Sequence, residues 1–305
     1  MSKSAFIAIV GRANVGKSSF VNAAVGEKVA IVSDKPQTTR TKIMGVLTEG
    51  ENQLVFIDTP GFHKPRNTLG ENMMKAVGSG LSDVDAAVLM VEAVTRFKFD
   101  ADNFPPAEIK LMDELKRRKI PAVLAVNKID LLKDKSELLS IISAYTSYMD
   151  FCAVVPFSAK TRDGVAELVE ELSKFSKDSV HYFDSDTVTD QSDRTMICEI
   201  IREKLLRTLD NEVPHGIAVD LERFFESDSK EGEPILNVEA VIYCERESHK
   251  GIIIGKKGSV LKNIGISARR DIEKFYGIKA SVKLWVKVKE NWRSMQGAIH
   301  GFGLD

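Results

Sequence analysis

"GRANVGKSSF", residues 11–20, stands directly after the apolar run "FIAIV" of residues 6–10. Gly11, Arg12, Ala13, Asn14, Val15, Gly16, Lys17 and Ser18 fit the pattern G-x-x-x-x-G-K-[ST], and Ser19 follows at the start of a helical stretch. The pattern has a physical purpose. Glycines let successive backbone N–H groups turn inward around phosphate oxygens. The next helix adds the positive end of its dipole. Lys17 would reach the β- and γ-phosphates, and the Ser18 hydroxyl would ligate Mg²⁺. Strand, loop and helix in this order predict an open α/β sheet that binds its ligand at the carboxyl ends of the strands.

The chain around the loop keeps the matching rhythm. Apolar runs of strand length recur at residues 54–57, 86–91, 122–126 and 153–157, and amphipathic stretches at 106–119, 136–148 and 164–175 lie among them. This alternation predicts a doubly wound, mostly parallel sheet with helices on both faces. A further strand at 43–47 pairs through "TEGENQ" with 54–57 as an antiparallel hairpin. After about residue 176 the period fades into "SKDSVHYFDSDTVTDQSD". Residues 177–192 therefore read as a linker between a first domain, 1–176, and a smaller α+β domain, 193–305. The second domain runs helix (194–209), strand (216–225), strand (236–244), glycine-rich turn, helix to 274, and the strand "KASVKLWVKVK".

Bulk properties bound the rest. A chain of 305 residues suits two domains, and 43% hydrophobic with 29% charged residues is a globular composition. The net charge of -1 sets up no global field for a polyanion. It hides a segregation: residues 187–245 hold 6 basic against 14 acidic side chains, net -8, and residues 246–305 hold 13 against 5, net +8. That basic segment is either a footprint for a polyanion or a solvated face paired with its acidic neighbour. No apolar run approaches a membrane span, and "MSKSAFIAIVG" is too short for a signal peptide, so a cytoplasmic protein is expected. Cys152, Cys198 and Cys244 lack metal or redox spacing and are expected to be buried, reduced thiols.

The phosphate loop alone does not choose a base. "NKID", residues 127–130, does so at the end of its strand. An ionised Asp130 is acceptor-only and can take both the ring N–H and the amino group of guanine, a donor pair that adenine lacks. Asn127 would bridge base and loop, the Lys128 stem would lie along the ring, and Ile129 completes the turn. In "SAK", Ser158, Ala159 and Lys160, the Ala159 N–H would meet the guanine oxygen. "DTPG" supplies Asp58 to hold Mg²⁺ through water, then Thr59, Pro60 and Gly61, whose N–H would bond the γ-phosphate and sense hydrolysis. In "QTTR" a threonine completes the Mg²⁺ shell; Thr39 is favoured over Thr38, although spacing alone does not decide. Lys17, Thr39 and Gly61 are the expected catalytic set.

Phe62 stands where many such enzymes carry a water-orienting glutamine, and a phenyl ring cannot orient water. His63 beside it is a candidate base or a plain surface residue. Asn14 is either a K⁺ ligand, its amide carbonyl being a hard neutral donor, or a brace for the loop. In the second domain, Gly255-Lys256-Lys257-Gly258 follows an apolar run and precedes a helix carrying Lys262, Arg269 and Arg270. A GxxG loop joining two helices lets a nucleic-acid backbone approach closely, and an apolar groove beside it takes unstacked bases. That is the K-homology (KH) arrangement, and the element order suits its α-first version; the alternative is a basic helix-turn-helix of purely structural use.

These motifs together resemble one family: Era-type GTPases, bacterial P-loop enzymes related to translation factors that carry a C-terminal KH domain. The likeness spans nearly the whole chain, through "GRANVGKSS", "QTTR", "DTPGFHKP", "NKID", "SAK", "TDQSDRTMICEIIREKLL" and "GIIIGKKG". The resemblance implies GTP and GDP as ligands, Mg²⁺-dependent hydrolysis, and binding to the 3′ end of small-subunit ribosomal RNA during assembly of the small ribosomal subunit. It also implies a peripheral contact at the inner face of the membrane. Some GTPases with an asparagine at the position of Asn14 and a hydrophobic residue after "DTPG" use K⁺. A monomer is expected.

Overall fold

The computed structural model describes residues 1–62, 65, 67–93, 104–210, 213–229 and 232–304; His63 lies outside them. The chain divides into two compact units. The first holds residues 1–30, 39–64 and 73–190, and the second holds 31–38, 65–72 and 191–305.

In the first unit the elements are β1 (Lys3–Gly11), α1 (Lys17–Val25), β2 (Ile43–Glu49), β3 (Asn52–Asp58), α2 (Thr68–Gly80), β4 (Ala86–Glu92), α3 (Pro106–Arg118), β5 (Ala122–Asn127), α4 (Lys135–Tyr148), β6 (Ala153–Pro156), α5 (Val165–Ser173) and β7 (Lys177–Asp178). The first turns of α2 cluster with the second unit. The sheet order is β2-β3-β1-β4-β5-β6. Among the described residues, only β2, on β3, and β7, on β1, run antiparallel.

Side chains of the strands alternate between two cores. Ile7, Ile9, Val88 and Met90 face Phe20 of α1 and Leu168 of α5. Ala8, Val10, Leu89 and Val91 face Val77 of α2, Leu111 of α3 and Ile141 of α4. Both faces are thus covered, as buried parallel strands require, and each fully buried Leu or Ile contributes about 1.5–3 kcal/mol. Strand order reverses around β1, so the loop leaving β1 sits at the switch point of the sheet.

The segment expected to be a linker is docked along this sheet as far as Asp190. Gln53, fully buried, accepts from the Tyr182 and Phe183 N–H groups at 2.8 and 3.1 Å and donates to the Phe183 carbonyl. Thr189 Oγ1 donates to the Met44 carbonyl. A polar stretch without periodicity can still be fixed when its backbone finds partners.

The second unit contains α6 (Asp193–Thr208), β8 (Ala218–Asp228), β9 (Pro234–Cys244), α7 (Glu247–Ile254), α8 (Ser259–Tyr276), β10 (Lys279–Val288) and α9 (Gln296–Gly301). Its sheet runs β10-β9-β8, with β10 parallel and β8 antiparallel to β9. Ile197 and Ile201 of α6, Ile253 of α7, and Ile264 and Ile272 of α8 cover one face of it. Residues 31–38 cluster with this unit, where Glu203 accepts from the Val32 N–H at 3.0 Å. Among the described residues no helix is long and apolar enough to cross a membrane. Cys244 is buried and Cys198 half-buried, but Cys152 is exposed; it precedes β6, and its backbone N–H donates to the Ala122 carbonyl.

Candidate phosphate-loop site and basic groove

The loop from Gly11 to Ser18 closes on itself. Lys17, only 6% exposed, lays its ammonium on the carbonyls of Arg12 at 2.8 Å and Gly11 at 3.2 Å. Burial pushes its pKa down to about 8, against the pull of Asp58. Gly16 has φ 102°, and a Cβ there would lie 2.0 Å from Asn127 Nδ2, so only glycine lets the "NKID" strand back the loop. Ala13 lies against Gly61, and Asn14 is exposed in the left-handed region at φ 65°. Asparagine tolerates that conformation better than most residues.

Three hard oxygens converge beside Lys17. The Ser18 hydroxyl donates to Asp58 Oδ2 at 2.5 Å and lies 2.9 Å from Thr39 Oγ1. Thr38 Oγ1 instead donates to the Lys35 carbonyl. Asp58 is fully buried, and its Oδ1 has no hydrogen-bond partner among the described residues. Burial raises the Asp58 pKa to about 6, opposed by Lys17 and by the Ser18 bond. A buried carboxylate with an orphaned oxygen next to two hydroxyls is the donor set of a hard divalent cation, so these residues fit Mg²⁺.

The base-recognition loop is similarly tied. Asn127 donates from Nδ2 to the Val15 carbonyl at 2.8 Å, and its Oδ1 accepts from the Lys128 and Ala159 N–H groups at 2.7 and 3.0 Å. The Ala159 N–H, expected to meet guanine, is thus committed to Asn127 here. Ser158 Oγ donates to Asp130 Oδ1 at 2.7 Å and orients that exposed carboxylate; Lys160 is exposed, and the Ile129 N–H donates to the Phe157 carbonyl. Thr59 Oγ1 donates to the Ile9 carbonyl, and Pro60 is buried beside it. The Phe62 N–H donates to the Gly11 carbonyl at 3.2 Å, while its ring packs on the core that contains Val10 and Leu89.

In the second unit α7 ends at Gly255, a tight turn carries Lys256, Lys257 and Gly258, and α8 starts at Ser259. Both lysines are exposed. Beside the turn, α8 and β10 form a groove of about 530 Å³ whose lining includes Gly258, Leu261, Lys262, Ile266, Arg269 and Leu284. Arg270 is exposed but lies outside that lining, and Arg269 is 3.6 Å from Glu273.

The model of the 50S ribosome-binding GTPase family matches residues 6–128, and that of the KH domain matches residues 212–293. GTPase Era of Clostridioides difficile (strain 630) is 48% identical over 303 residues, covering 99% of both chains. GTPase Era of Ruminiclostridium cellulolyticum is 43% identical over 302 residues, with 99% of this chain and 97% of the relative covered. The chain belongs to the Era family of GTPases. A crystal structure of Era in complex with MgGDPNP and nucleotides 1506–1542 of 16S ribosomal RNA matches with a TM-score of 0.92 at 32% identity, covering 100% of this chain and 99% of that one. A variant of Aquifex aeolicus Era bound to GDP·AlF4⁻ matches with a TM-score of 0.91 at 32% identity over 99% of each chain.

Within this Era-family frame, sequence reasoning missed residues that support the site from behind. Glu92 closes β4, Glu108 is buried on α3, and Tyr145 is buried on α4. An acidic residue in the first turn of a helix reads as ordinary dipole chemistry, so Glu108 carried no signal of its own. Glu92 did: it ends an otherwise apolar strand at the edge of the site.

Proposed function

We propose that this Era-family chain is a GTP-hydrolysing switch that binds the 3′-end region of small-subunit ribosomal RNA and acts in assembly of the small subunit. One observation carries this reading: a phosphate loop backed by "NKID" and a GxxG groove stand on one chain whose full length matches Era bound to MgGDPNP and 16S ribosomal RNA. By function, residues 1–176 would serve GTP binding and residues 193–305 RNA binding, although 31–38 and 65–72 cluster with the second unit and 177–190 with the first.

The nucleotide would lie against residues 11–19, with guanine between Asp130 and the Lys128 stem. Lys17 would swing from the Gly11 and Arg12 carbonyls to the phosphates and offset charge at the bond that breaks. Gly61 would donate its N–H to the γ-phosphate, and Thr39 would close the site over it. Ser18, Thr39 and Asp58, the last through water, would hold Mg²⁺, which supplies neutralisation of the β- and γ-phosphate oxygens. Phe62 is packed on the core and orients no water. In the second domain Gly255, Lys256, Lys257 and Gly258 would clamp the RNA backbone, and Lys262 and Arg269 would flank the bases. Crosslinking the protein to cellular RNA and sequencing the fragments tests the reading. Enrichment at the 3′ end of 16S ribosomal RNA supports it. Enrichment elsewhere, or binding to anionic vesicles in place of single-stranded RNA, refutes it.

The same reading extends to K⁺. Asn14 is exposed within the loop, and Phe62 leaves the transition state short of a polar partner. K⁺ held by the Asn14 amide oxygen would add positive charge there. Hydrolysis is then faster in KCl than in NaCl at equal ionic strength, and Asn14→Ala removes most of the difference. Equal wild-type rates in the two salts refute this point alone. A monomer in the cytoplasm with a peripheral contact at the inner membrane face completes the proposal, on the strength of the family likeness.

A further inference from the structure

Five side chains of the first unit form a chain of alternating charge along the rim of the nucleotide site. Lys128 Nζ lies 2.6 Å from Glu92 Oε2. Glu92 Oε1 lies 3.7 Å from Arg12 Nη2. Arg12 Nε donates to Glu108 Oε1 at 2.5 Å, and the Tyr145 hydroxyl donates to Glu108 Oε2. Burial, then the Glu108 charge, raises the Tyr145 pKa, so the phenol stays a donor.

The placement of these groups gives the chain its meaning. Arg12 follows Gly11 in the phosphate loop, and its carbonyl is one of the two that hold Lys17. Lys128 belongs to the base-recognition motif. Glu92 ends β4, which lies between β1 and β5, and stands in register with Asn127. One carboxylate therefore touches the loop for phosphate and the loop for base. Exposed ion pairs contribute little. This one is different in two respects. Arg12 and Glu92 are each 24% exposed, and Lys128 is 31% exposed. Glu108 is fully buried and would be costly without its cation, so Arg12 is held in place from the core side.

We propose that Glu92 is a positioning residue that couples the phosphate loop to the base-recognition loop, holding Arg12 with one carboxylate oxygen and Lys128 with the other. The proposal rests on the guanine-nucleotide reading of the site. Coupling through a shared partner predicts non-additive effects of changes at two residues that do not touch each other.

The test is a mutant cycle on the full chain, read as the Kd of N-methylanthraniloyl-GDP in Mg²⁺ buffer. Arg12→Met and Lys128→Met remove charge and keep an apolar stem. With Glu92 present, the double variant weakens binding by less than the product of the single effects, the shortfall being about three- to tenfold. In a Glu92→Gln background the effects multiply to within about twofold. If Arg12→Met unfolds by circular dichroism, Arg12→Lys replaces it, because one ammonium cannot serve both Glu108 and Glu92. Simple multiplication in both backgrounds overturns the proposal. So does equal coupling in both, and so does coupling seen in thermal midpoints but not in Kd. A folded wild type that fails to bind the probe overturns the nucleotide reading as well; a wild type that binds without coupling overturns only the role of Glu92.

Discussion

Two glycine-bounded loops in this molecule carry lysine at the start of a helix, and they are built in opposite ways. The loop at residues 11–18 turns inward: its lysine is buried on backbone carbonyls, and Asn127 backs it by a bond to Val15. The loop at residues 255–258 turns outward: its lysines are exposed, and its shape rests on backbone turns, with Lys257 at φ 52° and Gly258 at φ 77°. An enclosed loop can discriminate, because each misplaced group loses a bond that water cannot replace. An open loop grips charge and forgives sequence, because water and salt share every contact. The first suits a nucleotide of fixed shape, and the second suits a polymer backbone.

The sharpest way to break this contrast is to add one methyl group to a glycine of each loop. In Gly16→Ala the new Cβ meets Asn127 Nδ2 at 2.0 Å with φ at 102°. Left-handed strain of about 1–2 kcal/mol adds to a disrupted buried hydrogen bond of about 1–3 kcal/mol. GDP affinity is expected to fall by about thirtyfold or more, read by fluorescence titration. At Gly258 a Cβ meets nothing within 4 Å, so Gly258→Ala carries only the strain at φ 77°, a stability loss of about 1–2 kcal/mol read by denaturant melts. Equal tolerance at the two sites would abolish the distinction.

The next effect in size concerns base choice. Asp130→Asn replaces an acceptor oxygen with an NH₂, which confronts the guanine amino group with a like donor. A hydrogen bond to a charged group is worth about 1.5–3 kcal/mol, so GTP affinity falls roughly tenfold to over a hundredfold while xanthosine triphosphate gains relatively. Unchanged preference for GTP in a competition titration would remove Asp130 from the base contact. Ser158 holds one oxygen of that carboxylate at 2.7 Å, so Ser158→Ala is expected to give a weaker version of the same loss.

How far the sequence carries a reader depends on whether a residue acts locally. The strands of the first unit were legible because buried parallel strands are short apolar runs, and the phosphate loop, "DTPG", "NKID" and "SAK" because each stands at the end of one. The helix at Thr68–Gly80 escaped: three glycines dilute "TLGENMMKAVGSG", and its buried Leu69, Met73 and Val77 recur only every fourth residue. Docking of residues 177–190 escaped because Gln53, which anchors it, looks like any polar residue near a hairpin. Glu108 escaped because its partners, Arg12 and Tyr145, are far away in sequence; Glu92 shows itself as the charged end of an apolar strand, but its partners, Lys128 and Arg12, are not readable from spacing. Spacing misplaces the exposed Cys152, since it says nothing of which way a side chain points.

On the open loop the expected effect is graded. Replacing Lys256 and Lys257 with Asp weakens binding to single-stranded RNA and lowers its salt slope by up to about 0.7 for each phosphate no longer neutralised. Hydrolysis of GTP without RNA stays close to wild type, since neither lysine belongs to the nucleotide site. An unchanged salt slope over several salt concentrations would show that this loop meets no phosphate.

The smallest effect belongs to lysines that resemble those of the loop in sequence but not in setting. The +8 of residues 246–305 suggested one continuous footprint, and the -8 of residues 187–245 suggested a partner for it. The structure divides the two possibilities by position. On β10, Lys283 pairs with Glu239 at 3.1 Å and Lys287 with Glu222 at 2.8 Å, both carboxylates coming from the acidic stretch across the sheet. For Lys256 and Lys257 no ion pair is found among the described residues. A lysine already beside a carboxylate adds little to the field that a polyanion meets, and an exposed pair adds only about 0–1 kcal/mol to stability. Lys283→Ala and Lys287→Ala are therefore expected to leave the RNA salt slope within error of wild type. A drop matching that of the loop variant would mean that RNA pulls these lysines off their partners. The basic strand would then belong to the binding surface, and the contrast between an open loop and a neutralised sheet would fail.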